Sequence, residues 1–200
     1  MKPLDLKNNK RKINNFVLLL KILKPILLSH HPSCKTFENH TFKIGKRKFC
    51  IGCFIGFPTA ILGIIVIYYS KLVNVLDSKV LLMASMIFLA SFILSPLNLT
   101  KIKIIKIIQK FLIGLGSTFL FWWIWTLPNL FIINLLYFLV IFCLLLTILT
   151  GYHAYGFYAT CKKCQYSLNW KICPGFKDFI EYLEKNNLPN IFNKIKNNIK

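Results

Sequence analysis

Six of the seven cysteines fall in two groups, one on each side of a long apolar stretch of chain. The first group precedes the stretch and the second follows it: Cys34, Cys50 and Cys53, then Cys161, Cys164 and Cys173. Each group contains one Cys-x-x-Cys pair. Two such pairs supply the four sulfur ligands that a tetrahedral zinc site prefers. The sequence therefore predicts a metal site, with zinc as its ion.

More than one set of ligands satisfies this prediction. In one set, the pairs Cys50–Cys53 and Cys161–Cys164 share a single ion. In another, each group binds its own ion with the help of a nearby histidine. The ligands would then be Cys34, His40, Cys50 and Cys53 for one ion, and His153, Cys161, Cys164 and Cys173 for the other. The spacing permits both sets.

A redox function is the main alternative. Cys50 and Cys53 come just before a long apolar helix, whose N-terminal dipole lowers the pKa of a thiol and favours the reactive thiolate. A helical bundle with such pairs resembles the quinone-linked thiol oxidoreductases. Those enzymes work on the oxidising side of a membrane, whereas the basic residues place these cysteines in the reducing cytoplasm. The remaining cysteine, Cys143, is expected to be a buried apolar residue.

The apolar stretch predicts a membrane protein. Of 200 residues, 56% are hydrophobic, more than a soluble domain usually contains. Four segments are free of Asp, Glu, Lys and Arg, and they cover residues 54–69, 80–97, 111–127 and 130–150. Segments of about 20 apolar residues cross a bilayer as helices. We therefore expect an all-α integral membrane bundle of about four transmembrane helices.

Three regions follow from this pattern. Residues 1–53 form a basic segment with a Cys/His cluster, residues 54–160 form the bundle, and residues 161–200 form a cysteine-rich loop and tail. Amphipathic patterns at residues 13–28 and 176–183 predict short interfacial helices at both ends. A similar pattern over residues 98–110 predicts a third helix on the membrane surface.

Charge predicts the orientation. With four spans, 24 of the 26 Lys and Arg residues fall on one side, and this side is cytoplasmic by the positive-inside rule. Both termini are then cytoplasmic, in a protein of the cell membrane. The net charge of +20 is assigned to contact with the lipid bilayer, and not to nucleic acid. The uncharged spans argue against a small-molecule transporter, and no catalytic triad or phosphate-binding loop is present.

The segment before the first span carries a family resemblance. It reads CKTFENHTFKIGKRKFCIGCFIG, from Cys34 to Gly56. It resembles the signature of an uncharacterised prokaryotic family of small predicted membrane proteins, with Cys-x-x-Cys-x-Gly entering a transmembrane helix. The matching positions are Cys34, Phe42, Gly45, Cys50, Cys53 and Gly56, with Gly56 one residue later than usual. Lys35 and Gly52 stand where that family usually has His and Arg. The resemblance implies a membrane protein and assigns no activity.

Overall fold

The computed structural model describes residues 34–45 and 47–185, and this part of the chain is mostly helical. The interfacial helix predicted at residues 13–28 lies outside the described residues. The described chain divides into two compact units. Ile51–Ala159 form a membrane unit, and the residues up to Cys50 together with those from Thr160 form a cysteine unit. These two names are used below.

The membrane unit contains four apolar helices in sequence. A π-helical turn, Gly52–Gly56, leads into α1, and a short 3₁₀ helix, Ser91–Leu94, continues α2. The helices are α1 (Phe57–Tyr69), α2 (Ser78–Ala90), α3 (Lys103–Trp125) and α4 (Phe131–Lys162), whose last residues belong to the cysteine unit. Pro58 is the second residue of α1 and follows the π-helical turn directly; since proline has no N–H, it leaves one carbonyl of that turn without its helical donor. Asp77 caps α2 by accepting from the Lys79 N–H at 3.4 Å.

Three of these helical segments are long and apolar enough to cross a membrane: Gly52–Tyr69, Lys103–Trp125 and Phe131–Lys162. The prediction of a mostly helical chain, with helices long and apolar enough to span a membrane, is therefore confirmed. The segment Ser78–Leu94 is also apolar but shorter, with 17 residues. The sequence predicted a span over residues 80–97. The structure instead changes from α-helix to 3₁₀ helix at Ser91, so the regular part of this segment ends early.

α3 is the central helix of the membrane unit, because both α1 and α2 pack against it. Small residues allow this close approach. A Cβ atom added to Gly114 would lie 2.6 Å from the backbone oxygen of Gly56, and one added to Gly116 would lie 2.9 Å from the Leu89 nitrogen. The Thr118 hydroxyl donates to the Ala60 carbonyl across the contact with α1, at 3.0 Å. Gly63, which faces Thr118, completes this close-packed surface.

The start of α3 differs from the sequence prediction. A separate surface helix was expected over residues 98–110. The structure has a turn with Asn98 at a φ of 61°, a short 3₁₀ helix, Leu99–Lys101, and then the first turns of α3. Lysines thus lie within the first turns of a membrane-crossing helix, where their long side chains can extend towards the lipid headgroups.

One buried side chain joins the end of α2 to α3. Gln109 is fully buried, and its Nε2 atom donates to the carbonyls of Ser91 (3.1 Å) and Phe92 (3.3 Å) and to the Ser95 hydroxyl (2.8 Å). The Phe92 carbonyl also accepts from the Ser95 backbone N–H at 2.9 Å. Gln109 therefore adds a second donor there and links α3 to the segment where α2 becomes a 3₁₀ helix.

α4 is far more exposed than α3. Within the apolar windows of the two helices, 6% of the α4 residues are buried, against 44% for α3. The contacts of α4 are mostly aromatic: Phe138 packs edge-on against Phe121 with ring centroids 5.7 Å apart, and Tyr152 packs against Phe92 at 5.3 Å. Near its start, the Asn134 amide donates to the Leu127 carbonyl at 3.1 Å.

The cysteine unit contains a β-hairpin that the all-α prediction missed. Its strands are β1 (Thr41–Ile44) and β2 (Arg47–Cys50), paired antiparallel with Thr41 opposite Cys50. Gly45 has a φ of 60°, which glycine adopts without strain. A 3₁₀ helix, Lys35–His40, precedes the hairpin.

The tail of the same unit ends in a short helix, α5 (Lys177–Lys185). The sequence predicted an amphipathic helix here, over residues 176–183. Ile180 and Leu183 are buried, so this apolar side is covered by the protein itself. Burial of Phe37 and Cys50 adds to the core of the cysteine unit.

Candidate metal centre

Four cysteines of the cysteine unit are linked by the effects of their charges. Cys34 precedes the first 3₁₀ helix, Cys161 lies in the last turn of α4, Cys164 follows that helix, and Cys173 precedes a second 3₁₀ helix, Pro174–Phe176. Each of the four is half-buried. None of the seven cysteines is in a disulfide. We call these four residues the thiol cluster.

α4 is long enough to carry Cys161 beyond the lipid. A helix of 32 residues is about 48 Å long at 1.5 Å per residue, whereas the hydrocarbon core is about 30 Å thick. Thr160 and the residues after it also belong to the cysteine unit. Cys161 is the second-last residue of this helix, so the helix has enough length to cross a bilayer before it reaches Cys161.

The chain after α4 folds into consecutive tight turns. The Cys164 N–H donates to the Cys161 carbonyl at 3.2 Å, and the Ser167 N–H donates to the Cys164 carbonyl at 2.8 Å. Ser167 and Leu168 both have positive φ angles, 37° and 62°. Such angles are uncommon for residues other than glycine and occur where the surrounding structure holds the backbone in place.

Backbone amides support the sulfur of Cys173. The N–H groups of Gly175 and Phe176 hydrogen-bond to it, and both lower its pKa. The Phe176 N–H also lies 3.0 Å from the Cys173 carbonyl oxygen. Amide donors stabilise a thiolate more than a thiol, because they interact with the negative charge. The Cys-Pro-Gly sequence produces this arrangement, since proline starts a turn and glycine lets the next amides approach the sulfur.

The charges of the four thiols affect one another. Burial raises the pKa of Cys161, and the negative charges of Cys173, Cys34 and Cys164 raise it further. Burial is the largest cause that raises the pKa of Cys173; the amides of Gly175 and Phe176 lower it, and the charges of Cys34 and Cys164 raise it. Charge interactions of this kind act over about 8–10 Å, so they place the sulfurs in one region of the unit. Without a cation, Cys161 and Cys173 hold their protons more strongly; a cation would offset the repulsion between thiolates.

Among the described residues, no group of three or more His, Cys, Asp and Glu side chains is arranged so that it could hold a metal ion. The charge effects indicate only that the sulfurs lie in one region of the unit. A metal site requires more, because its sulfurs must surround a common point. Metal binding and local folding are coupled in cysteine sites, because thiolates without an ion repel each other. An ion would have to draw the four sulfurs together.

The other predicted ligands have different surroundings. Cys50 ends β2 and is only 3% exposed, and His40 packs edge-on against Phe37 with ring centroids 5.6 Å apart. Cys53 lies in the π-helical turn and His153 on α4, both within the membrane unit. The neighbouring charges at Cys161 and Cys173 come from the thiol cluster itself. Neither predicted set of ligands coincides with this cluster, which takes Cys34 from the first group and three cysteines from the second.

The surroundings of the cluster are basic. Lys162 and Lys163 lie between Cys161 and Cys164 in the sequence, and both are exposed, as is Lys171 near Cys173. An ion of charge +2 with four thiolates has a net charge of −2. Nearby lysines reduce the cost of that charge.

Two features of the protein were missed by sequence reasoning. The first is the pair of amides that support Cys173, which the Cys-Pro-Gly sequence signals. The second is the buried polar pair Lys106 and Gln109 on α3, which the prediction of a surface helix had placed outside the bundle.

The fold is mostly helical, with three helices long and apolar enough to cross a membrane and a separate cysteine unit. Comparison with protein-family models, curated proteins and solved structures found no match to this chain. The family resemblance of residues 34–56 therefore stays a prediction, and the function is argued from the residues alone.

Proposed function

We propose that this chain is an integral membrane protein whose thiol cluster binds a structural zinc ion. What supports this proposal is that Cys34, Cys161, Cys164 and Cys173 belong to one compact unit, in which the charges of the other three raise the pKa of Cys161. The zinc ion would connect the segment before the first transmembrane helix to the segment after the last one. Its function is to hold the two ends of the protein together on one side of the membrane.

The chemistry of the four ligands favours zinc over hard cations. Thiolate sulfur is a soft ligand, and four of them around an ion are typical of structural zinc sites. Calcium and magnesium prefer oxygen ligands. A catalytic zinc site keeps one position for water, whereas four cysteines fill all positions of a tetrahedron. The proposed site is therefore structural, and it is distinct from an enzyme active centre.

The same cluster bears on the number of membrane crossings. Cys34 precedes the four apolar helices, and Cys161 lies in the last turn of the fourth. Because both residues belong to one unit, the chain between them would cross the membrane an even number of times. Three helices meet the length for a span, and Ser78–Leu94 supplies the fourth crossing. This segment would be about 25 Å long as an α-helix, close to the thickness of the hydrocarbon core. Four crossings put 24 of 26 basic residues on the cytoplasmic side.

Redox function at Cys50 and Cys53 receives less support. Thiol–disulfide exchange requires an accessible thiolate, because the attacking sulfur must reach its partner in line. Cys50 is 3% exposed. A buried thiol at the end of a strand fits a packing role better than exchange with a quinone-linked partner.

Metal analysis of the purified protein tests the proposal. The wild-type protein, purified in detergent without chelators, should contain about one zinc ion per chain. Cys34→Ser and Cys164→Ser should each lose most of it. Cys143→Ser is the matched control, because this exposed cysteine of α4 lies outside the cluster, and it should keep the zinc.

A second pair of variants distinguishes the ligand sets. Cys50→Ser with Cys53→Ser should leave the zinc content unchanged if the thiol cluster is the site. Loss of zinc in this double variant, with retention in Cys34→Ser, would assign the ion to the two Cys-x-x-Cys pairs. Absence of zinc from the wild-type protein under these conditions would refute the proposed function.

A further inference from the structure

The turn between α2 and α3 combines exposed lysines with exposed apolar side chains. Lys101 and Lys103 are both exposed. Four apolar residues around them are 45–67% exposed: Leu97, Leu99, Ile102 and Ile104. We call residues 97–104 the lysine turn. Apolar side chains on the surface of a membrane protein contact acyl chains, and lysines beside them reach the level of the lipid phosphates.

The positive charge of the lysine turn has little compensation within the membrane unit. Asp77 is the only acidic residue between Ile51 and Ala159 in the sequence. It caps the start of α2, whereas the lysine turn follows the end of that helix segment. The ion pair of Lys177 with Glu181 belongs to the cysteine unit. The complementary negative charge must therefore come from outside the membrane unit.

Buried hydrogen bonds hold the residues that precede the lysine turn. Gln109 bonds to the carbonyls of Ser91 and Phe92 and to the Ser95 hydroxyl, which are the residues immediately before the turn. Lys106, one turn before Gln109 on α3, is only 9% exposed. The buried network holds both ends of the turn, so binding requires little ordering of the backbone.

We propose that the lysine turn is a docking surface for an anionic phospholipid, with the phosphate bound by Lys101 and Lys103 and the acyl chains against the neighbouring Leu and Ile side chains. This surface is independent of the zinc proposal, because it lies in the membrane unit and contains no cysteine. The occupant is a lipid because charge and apolar surface alternate along one short turn. A soluble anion would use the lysines alone.

Native mass spectrometry of the intact protein in detergent tests this proposal, with phosphatidylglycerol and phosphatidylcholine as probes. Phosphatidylglycerol should bind more tightly. The double substitution Lys101→Gln/Lys103→Gln should weaken its binding about 25-fold, since each lysine near an anionic surface contributes about fivefold. Lys101→Arg/Lys103→Arg should restore the binding, because arginine keeps the charge and binds phosphate.

The matched control removes the same charge at the other end of α2. Lys71 and Lys79 are exposed lysines of the membrane unit, and Lys71→Gln/Lys79→Gln should change phosphatidylglycerol binding less than twofold. An equal loss in both double variants would show general charge attraction and overturn the proposal. Equal affinity of the wild-type protein for the two lipids would also overturn it. Because Lys101 and Lys103 are exposed, the unfolding temperature in phosphatidylcholine should be the same in every variant, which checks the fold.

Discussion

At the scale of single residues, Gln109 donates hydrogen bonds to the segment where α2 changes into a 3₁₀ helix. A backbone carbonyl in hydrocarbon cannot bond to water, so it needs a partner from the protein. The side-chain amide of Gln109 serves Ser91 and Phe92 together. The sequence did not predict this role, because one glutamine among four lysines is typical of an exposed loop. Its function depends on a contact with another helix.

Replacing Gln109 tests this role. Gln109→Leu should lower the free energy of unfolding by about 1–2 kcal/mol, because interhelical hydrogen bonds in membranes contribute this much at most and the variant loses all three donated by Gln109. Unfolding in mixed micelles with increasing SDS measures the change. Thr147→Val is the control, since the Thr147 hydroxyl bonds only within its own helix, to the Cys143 carbonyl at 2.7 Å. A loss in Gln109→Leu no larger than in Thr147→Val would contradict the role.

The thiols of the cluster provide a test that depends on pH. With zinc removed, burial and the charges of Cys34 and Cys164 raise the pKa of Cys173. A raised pKa leaves less thiolate at a given pH, so alkylation should be slower and its midpoint should shift to higher pH than in the unfolded chain. Mass spectrometry of the Cys173 peptide over a pH series measures the midpoint. Cys34→Ser should lower it, since one neighbouring charge is lost.

The result that would contradict this interpretation is specific. If the Cys173 midpoint is the same in the folded and the unfolded chain, the four sulfurs are not close neighbours. A Cys34→Ser variant with an unchanged midpoint would remove Cys34 from the cluster while leaving the other three.

At the scale of helices, the sequence predicted which segments are apolar better than it predicted where the helices end. The central parts of all four apolar helices follow from hydropathy alone. α3 and α4 both extend beyond the apolar core, to Lys103 and Lys162, because a helix can continue through the headgroup layer. Near the change at Ser91, Pro96 lacks the N–H that would continue the helix, and Gln109 of α3 donates to the Ser91 and Phe92 carbonyls. The β-hairpin was missed because its two strands of four residues are too short for a clear alternating pattern.

Close packing of α3 against α1 can be tested with one methyl group. Gly114→Ala would place a Cβ atom 2.6 Å from the Gly56 backbone oxygen, and separating the helices should cost about 1–3 kcal/mol of unfolding free energy. Gly151→Ala is the matched control in α4, where no atom lies within 4 Å. It should be neutral or raise stability by up to about 1 kcal/mol, because alanine is the better helix former.

Thermal unfolding of the two glycine variants in the same detergent makes this comparison. Equal stability of Gly114→Ala and Gly151→Ala would mean that α1 and α3 are farther apart than the structure places them. A larger loss in Gly151→Ala would mean that α4 is closely packed at this position.

At the scale of the whole molecule, the segment before the apolar helices and the segment after them belong to one unit, although more than a hundred residues separate Cys34 from Cys161. The sequence predicted cysteine chemistry and the residues available for it. It did not predict the grouping, since the spacing of Cys-x-x-Cys pairs favoured Cys50 and Cys53 over Cys34. Only the folded arrangement distinguishes a thiol next to the tail from one buried at the end of a strand.

The even number of crossings and the zinc site support each other in this account. A zinc ion bound by Cys34 and three cysteines of the tail requires both segments on the same side of the bilayer. In the proposed topology, the positive-inside rule makes that side cytoplasmic.

X-ray absorption at the zinc edge tests directly whether the thiol cluster binds zinc, because it measures the ligands of the bound ion. We expect four sulfur ligands at about 2.3 Å in the wild-type protein and in the Cys50→Ser/Cys53→Ser variant, and fewer sulfurs or no zinc in Cys34→Ser. Nitrogen or oxygen ligands at about 2.0 Å in the wild-type protein, or a zinc spectrum that Cys34→Ser leaves unchanged, would contradict it.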